Sequence, residues 1–227
     1  MEKTDLINAV KKLKSDPSKR NFAQSVDLII NLHNLDMKKQ ESNVDTYIAL
    51  HHDRGRKLKI CAIVGPELAD SAKQVCDGTI TSEEMVRVYK DNKKAIKKLA
   101  NQYDYFIAQA TIMPQIATVF GRVFGPRGKM PNPKAGCVVP PNANLKIVYD
   151  RLQKLLRVQT KNQPAIKCLA GNEKMPDEHL VDNIDTIYKG ILQVLPNAEN
   201  SVKDISIKLT MGKPIKVESH VEEEENK

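Results

Sequence analysis

Leu58-Lys59-Ile60-Cys61-Ala62-Ile63-Val64-Gly65-Pro66-Glu67-Leu68 decides the fold of this 227-residue chain. The apolar run 58–64 lacks the in-and-out alternation of a half-solvated strand, so it predicts a strand buried on both faces. Pro66 starts a helix directly behind it, because its fixed φ and missing donor suit the first helical turn. A second such pair follows, a strand at 105–108 and a helix from about 111 to 120. Between the pairs lies a lysine-rich helix, 91–102, with Ala95, Ile96 and Leu99 facing in. Strands alternating with helices predict a small parallel α/β domain.

The flanks read in another style. Leu6, Ile7, Val10 and Leu13 recur at helical spacing until Asp16-Pro17 breaks the pattern, giving a helix near 4–14. Val26, Leu28, Ile30 and Leu32 alternate as a strand does, and Val44, Thr46, Ile48 and Leu50 give another. Beyond the middle, Leu145, Val148, Leu152 and Leu155 trace an amphipathic helix. A strand at 165–169, a long helix at 177–195 and an alternating strand at 202–209 follow. We therefore expect a discontinuous first domain, residues 1–53 and 158–227, with a second domain, 54–157, inserted into it. The two crossings, at 53–55 and 156–160, form a natural hinge. His51 and His52 are neighbours; placed on a strand they point to opposite faces and cannot share one metal, so a surface role is expected.

Charge is distributed unevenly. Residues 1–53 hold 8 basic and 8 acidic side chains, 54–157 hold 19 and 8, and 158–227 hold 9 and 12, so the whole positive excess of +8 sits in the middle. That points to a polyanionic partner and to a separate middle unit. Aromatics make up 4% with no Trp, which disfavours a single-strand binder built on stacking platforms. Cys61, Cys76, Cys137 and Cys168 show no paired spacing; Cys61 and Cys168 lie in strand-like runs and are expected as inert buried thiols, without disulfide or zinc. No signal peptide or membrane span is evident, and a reducing cytoplasm is expected.

Residues 121–136 interleave four glycines, three prolines and four basic residues: Arg122, Arg127, Lys129 and Lys134. Such a composition is expected to form a shaped loop presenting free N–H groups beside cations, an anion-binding surface. It is not a P-loop, since Val123 stands five positions before Gly128 and Met130 follows Lys129. Nor does it carry a dinucleotide fingerprint. A solvated surface loop is the plain alternative. No carboxylate pair or Ser, His and Asp spacing suggests catalysis, and Glu83 and Glu84 are explained by a helix start.

The run 121–136 resembles the signature of the L-one family of large-subunit ribosomal proteins, and Leu209-Thr210-Met211-Gly212-Lys213-Pro214 is similar to that family's C-terminal signature. Arg20-Asn21-Phe22-Ala23-Gln24-Ser25-Val26, Gly171-Asn172-Glu173-Lys174-Met175 and Val181-Asp182-Asn183-Ile184 resemble the archaeal form, and only the acidic tail after Val217 lies outside the likeness. The tail is expected to be disordered. Where the family usually has Pro-His-Gly, this chain reads His51-His52-Asp53-Arg54-Gly55.

The resemblance implies an α/β fold of two domains: a discontinuous split βαβ α/β sandwich and an inserted Rossmann-like three-layer α/β domain. It implies a principal RNA face on the first domain, made by Arg20, Phe22, Ser25, Asp27, Lys208, Thr210, Met211, Gly212 and Lys213. There Gly212 admits an RNA backbone, Thr210 donates and accepts toward a 2′-hydroxyl, and Phe22 and Met211 supply apolar contact. On residues alone Phe22 would be read as core packing. The basic residues Arg122, Arg127, Lys129 and Lys134 are expected to add salt-sensitive phosphate attraction. The implied partners are large-subunit ribosomal RNA of the mobile stalk, exit-site transfer RNA and the chain's own messenger, which it would repress; cofactors and metals are not expected. The chain would be a cytoplasmic ribosomal component, monomeric when free. The alternative is a metabolic enzyme whose basic loop holds a phosphorylated substrate at the helix ends of the sheet.

Overall fold

The computed structural model describes residues 3–15, 20–33, 44–90, 92–160, 163–195 and 198–217. In chain order the first elements are α1 (Lys3–Lys14), β1 (Ser25–Leu32), β2 (Asp45–Ala49), β3 (Ile60–Val64), α2 (Pro66–Val75), β4 (Gly78–Thr81) and α3 (Ser82–Glu84). Then come α4 (Lys93–Gln102), β5 (Tyr105–Gln109), α5 (Met113–Phe124), β6 (Val138–Val139) and α6 (Leu145–Lys154). β7 (Leu155–Gln159), β8 (Ala165–Asn172), α7 (Asp177–Leu192), β9 (Val202–Leu209) and β10 (Ile215–Lys216) complete them. The elements fall into two units, Met1–Arg56 with Lys154–Lys227, and Lys57–Gln153.

The first unit is organised by the period-two pattern of β1. Val26, Leu28, Ile30 and Leu32 are buried, while Ser25, Asp27, Ile29 and Asn31 stand half-buried on the other face. β1 lies inside an antiparallel sheet of order β10-β9-β1-β8. Leu6, Val10 and Leu13 of α1 and Leu180, Ile184, Ile187 and Ile191 of α7 recur at three- and four-residue steps, and they meet the inward residues of β1 in one core. β2 and β7 form a separate antiparallel pair whose Ile48, Leu156 and Val158 join that core.

One irregularity positions the site. The β1–β8 register shifts between Val26 and Asp27, so Val26 faces Gly171, Asp27 faces Leu169, and Ala170 has no counterpart. The Ala170 carbonyl instead accepts from Asn183 Nδ2 of α7 at 3.1 Å. Asn183 is fully buried, donates also to the His52 carbonyl (3.3 Å), and accepts the His52 N–H on Oδ1 (3.2 Å).

In the second unit all five residues of β3 are buried, as expected for the centre of a parallel sheet. The strand order is β4-β3-β5-β6, all parallel, so the direction in which strands are added to the sheet reverses between β3 and β5. Right-handed crossovers then place α2 on one face and α4 and α5 on the other. On the latter face Cys61, Ile63 and Phe106 pack with Ile96, Leu99, Ile116, Phe120 and Phe124, and the Phe106 and Phe124 rings lie 4.4 Å apart. Cys61 and Cys168 are buried free thiols, both pushed up to about 12 by burial, as their positions in strands led us to expect.

Several expectations need correction. Residues 121–124 continue α5 instead of opening a loop, because Val123 and Phe124 extend its apolar stripe and outweigh Gly121; Arg122 therefore sits on a helix. The second crossing expected at 156–160 is β7, hydrogen-bonded to β2, and the division between the units falls at Gln153 and Lys154. Leu155 accordingly leaves the helix expected to include it and begins β7. The short strands β4, β6 and β10 gave no periodic signal. The acidic tail lies outside the described residues.

Candidate nucleic-acid interface

The N-terminal end of β1 and the C-terminal end of β9 lie side by side, Val26 opposite Leu209 and Asp27 opposite Lys208. This brings residues 185 apart in sequence into a single rim. Thr210 is clamped to Ser25: its N–H donates to the Ser25 carbonyl (3.0 Å), its Oγ1 accepts the Ser25 N–H (3.2 Å), and the hydroxyl donates to the same carbonyl (3.2 Å). The hydroxyl's only proton is thereby used inside the protein, leaving an acceptor lone pair for a ligand rather than the donor and acceptor expected.

Gln24 holds the next residue of the rim. It is buried, and its Oε1 accepts the Met211 N–H at 3.1 Å. Its own N–H donates to Glu173 Oε2 (3.2 Å), while Glu173 N–H donates to the Gln24 carbonyl (2.9 Å). The turn closes where Gly212 N–H donates to the Leu209 carbonyl (2.9 Å). A Cβ added at Gly212 would lie 3.2 Å from Leu209 Cβ, so what the glycine serves most directly is the tightness of this turn.

On this fixed rim the apolar side chains are displayed. Phe22 is 57% exposed and Met211 62% exposed, which overturns core packing for Phe22. Arg20 and Lys213 are exposed beside them in sequence, and Ser25, Asp27 and Lys208 are half-buried. Burial raises the Asp27 carboxyl above its ordinary value while the Lys208 ammonium opposite pulls it down. Behind the rim Gly55 has φ +74°, and a Cβ there would lie 2.6 Å from Cβ of Asn172, the residue opposite Ser25. The rim thus offers cations, apolar contact and the remaining acceptor lone pair of Thr210 on a backbone that folding has already set.

The four cations of the second unit do not form one set. The Arg127 guanidinium donates to Asn101 Oδ1 and, at 3.4 Å, to the Lys97 carbonyl, and Lys129 Nζ donates to the Tyr103 carbonyl at 2.5 Å. Both therefore tie the glycine-proline segment to the end of α4, while Arg122 and Lys134 are exposed.

His51 and His52 lie on a bend, not a strand, and converge on one carboxylate: His51 Nδ1 is 2.8 Å and His52 Nε2 3.5 Å from Asp182 Oδ2. The His52 ring also stacks on His179, centroids 3.8 Å apart. Among the described residues no group of three or more His, Cys, Asp and Glu is arranged to hold a metal ion. The hydrogen bond from His51 holds the Asp182 carboxyl below its ordinary value of 3.8. A carboxylate lowered by folding contributes stability above its unfolded pKa and loses it as pH falls through the folded one. Asp182→Asn is therefore expected to unfold earlier than the natural chain near about pH 5, with the difference closing as pH drops below 3.8. Thermal melts across that range check it, and a pH-independent difference would exclude the ion pair as its cause.

Gln24, Glu173, Asn172 and Asn183 hold the rim, yet none was singled out for the site. Each lies in a motif that resembled the family, but only the strand pairing shows what they grip. A family model described as the Ribosomal protein L1p/L10e family matches residues 10–213. The chain is 40% identical over 218 residues to the large ribosomal subunit protein uL1 of Methanothermococcus thermolithotrophicus, covering 96% of this chain and 100% of that one. It is 39% identical over 217 residues to the uL1 protein of Methanocaldococcus jannaschii, covering 96% of each chain. To that of Thermococcus kodakarensis it is 38% identical over 218 residues, 96% of this chain and 98% of the relative.

Proposed function

We propose, from the premise that the chain belongs to the Ribosomal protein L1p/L10e family, that it holds ribosomal RNA through the rim of its first unit. As a member it is a non-enzymatic, structural constituent of the large ribosomal subunit, and binding ribosomal RNA is general to that family. Its place of work is the cytoplasmic ribosome; no helix among the described residues is long and apolar enough to cross a membrane. The observation that carries the assignment to the rim is the clamp of Thr210 on Ser25, which sets Phe22 and Met211 outward on a surface needing no rearrangement. Structured RNA is read by shape, phosphates and 2′-hydroxyls, and a preformed face suits that task.

In finer terms, the RNA is that of the mobile stalk near the exit site, and the chain assists release of deacylated transfer RNA from there. When free it is a monomer, and its own messenger competes for the same rim, so that surplus protein represses its own synthesis. Against the enzyme alternative stands the switch point of the parallel sheet, where ligands of such folds bind. There the buried Gln109 accepts the Gly65 N–H on Oε1 (2.7 Å) and donates to Glu67 Oε2 (3.2 Å), filling the crevice.

Footprinting on large-subunit RNA at low ionic strength tests the function directly. One compact protected region is expected, and Thr210→Val, which removes the two hydroxyl bonds of the clamp but keeps its backbone bond and the side-chain shape, is expected to weaken binding about tenfold, or about 1.4 kcal/mol. Absence of protection, or a larger loss of specificity from Arg122→Gln and Lys134→Gln than from Thr210→Val, would move the principal site off the rim.

A further inference from the structure

The proposed function leaves unexplained where the positive charge of the second unit is concentrated. Lys93, Lys94, Lys97 and Lys98 of α4 are all exposed, while Ile96, Leu99 and Ala100 form its buried face. Among the described residues none of the four lysines is held in an ion pair. They stand as like-charged neighbours at i and i+4, an arrangement that destabilises a helix by about 0.2–0.5 kcal/mol per pair. The first turn of α4 has no acidic residue and instead carries Lys93 and Lys94 against the positive end of the helix dipole. Solubility alone would be served by mixed charge.

The surroundings reinforce the same field. Residues 105–149 contain no Asp or Glu, and α5, which packs against α4, carries the exposed Arg122. Arg127 and Lys129 fasten the turn after α5 to the end of α4, enclosing an open depression of about 460 Å³ bounded by Ala100, Asn101, Arg127 and Lys129. The exposed positions of α4 are lysine, asparagine and glutamine, without an aromatic or methionine anchor. A protein interface needs such anchors, and single-stranded nucleic acid needs stacking platforms. What remains is a regular array of phosphates.

We infer that the α4 face of the second unit is a separate docking surface for the sugar-phosphate backbone of double-helical RNA, read without regard to sequence. It deepens the RNA-binding function proposed above, adding a second grip on a paired segment outside the rim's own target. From Lys93 to Lys98 the helix rises about 7.5 Å at about 1.5 Å per residue. At about one phosphate per 1.7 Å of axis counted over both strands, that length of duplex carries about four phosphates, of which the four lysines can neutralise those turned toward the α4 face. The arginine and lysine fastened at the end of α4 extend the field and hold the surface rigid.

The test uses the full chain and a 20-base-pair RNA duplex of arbitrary sequence, with binding measured over a salt series. Replacing the four lysines together (K93Q, K94Q, K97Q and K98Q) keeps helix-forming residues, and circular dichroism confirms the fold. The expected result is a loss of at least tenfold in duplex affinity at low salt. The slope of log affinity against log salt should flatten by about 0.9 for each phosphate no longer neutralised, about two to four in all. The corresponding arginine quadruple variant should retain both. Unchanged affinity and slope would overturn the surface, as would tighter binding of polyglutamate than of duplex by the natural chain. If the natural chain ignores large-subunit RNA but still binds duplex through α4, the proposed function fails and the surface stands.

Discussion

A chain carrying Phe22→Ala and Met211→Ala is expected to bind large-subunit ribosomal RNA about a hundredfold more weakly than the natural chain while unfolding at the same denaturant concentration. Phe22 and Met211 are 57% and 62% exposed, so truncation removes little that holds the fold together. Changes at such positions ordinarily stay within about 0.5 kcal/mol of stability. Covering the exposed parts of both against RNA removes apolar area worth about 3 kcal/mol at about 25 cal/mol per Å², or about two decades in affinity. The surface needs no ordering before it binds, because Gln24 and Ser25 already fix the backbone of residues 210 and 211. Filter binding and a urea titration on the same preparation separate the two effects. Equal loss of affinity and stability would return Phe22 to a structural role, and unchanged affinity would remove both residues from the interface.

The same two residues show what the sequence could and could not reveal. The alternation of Val26, Leu28, Ile30 and Leu32 and the solid apolar run 60–64 announced β1 and β3, because burial on one face or two leaves a direct mark on residue order. Nothing local announced that Ser25 meets Thr210, since that contact is created by pairing strands distant in the chain. Family resemblance named both ends of the rim, but Gln24, which joins them, had no periodic signal and appears only as a buried residue whose side chain accepts the Met211 N–H and whose backbone pairs with Glu173. β7 was missed for a related reason. Leu152 and Leu155 fit one helical stripe, and only the partner β2 pulls Leu155 into a strand.

Charge counting was informative about region and misleading about residue. It placed the excess correctly in the middle of the chain, and composition then drew attention to the glycine-proline segment. In the folded unit Arg127 and Lys129 of that segment are partly spent on carbonyls and an amide at the end of α4, while the lysines of α4 itself stand clear of ion-pair partners among the described residues. A cation's availability depends on what folding puts beside it, which a count of residues does not contain. If, as proposed, the first unit binds by fitted contacts and the second contributes a field that salt weakens, the two should respond differently to ionic strength.

A large loss of stability from a single substitution is expected at Asn183, where Asn183→Leu should cost about 3 kcal/mol. Its side chain is fully buried and engages three backbone groups: the carbonyls of Ala170 and His52 and the N–H of His52. The Ala170 carbonyl needs it because the register shift beside Val26 leaves that residue without a strand partner. Leucine fills a similar volume, so the cavity contribution is small and the cost lies in polar groups left without hydrogen bonds, about 1 kcal/mol or more for each. The damage should not stop at stability. Loss of the Asn183 anchor frees the bulge of β8, and Glu173, one residue past that strand, is what holds Gln24 beneath Met211. RNA affinity is therefore expected to fall severalfold even where the variant is fully folded, whereas Ile184→Val, a neighbouring core change on α7, should cost only about 1 kcal/mol and leave affinity unchanged. A urea midpoint shifted by the expected amount at constant slope, together with weaker binding only in Asn183→Leu, would establish the bulge as the support of the rim. If Asn183→Leu costs less than Ile184→Val, water or a relaxed strand is satisfying those groups, and the anchor is dispensable.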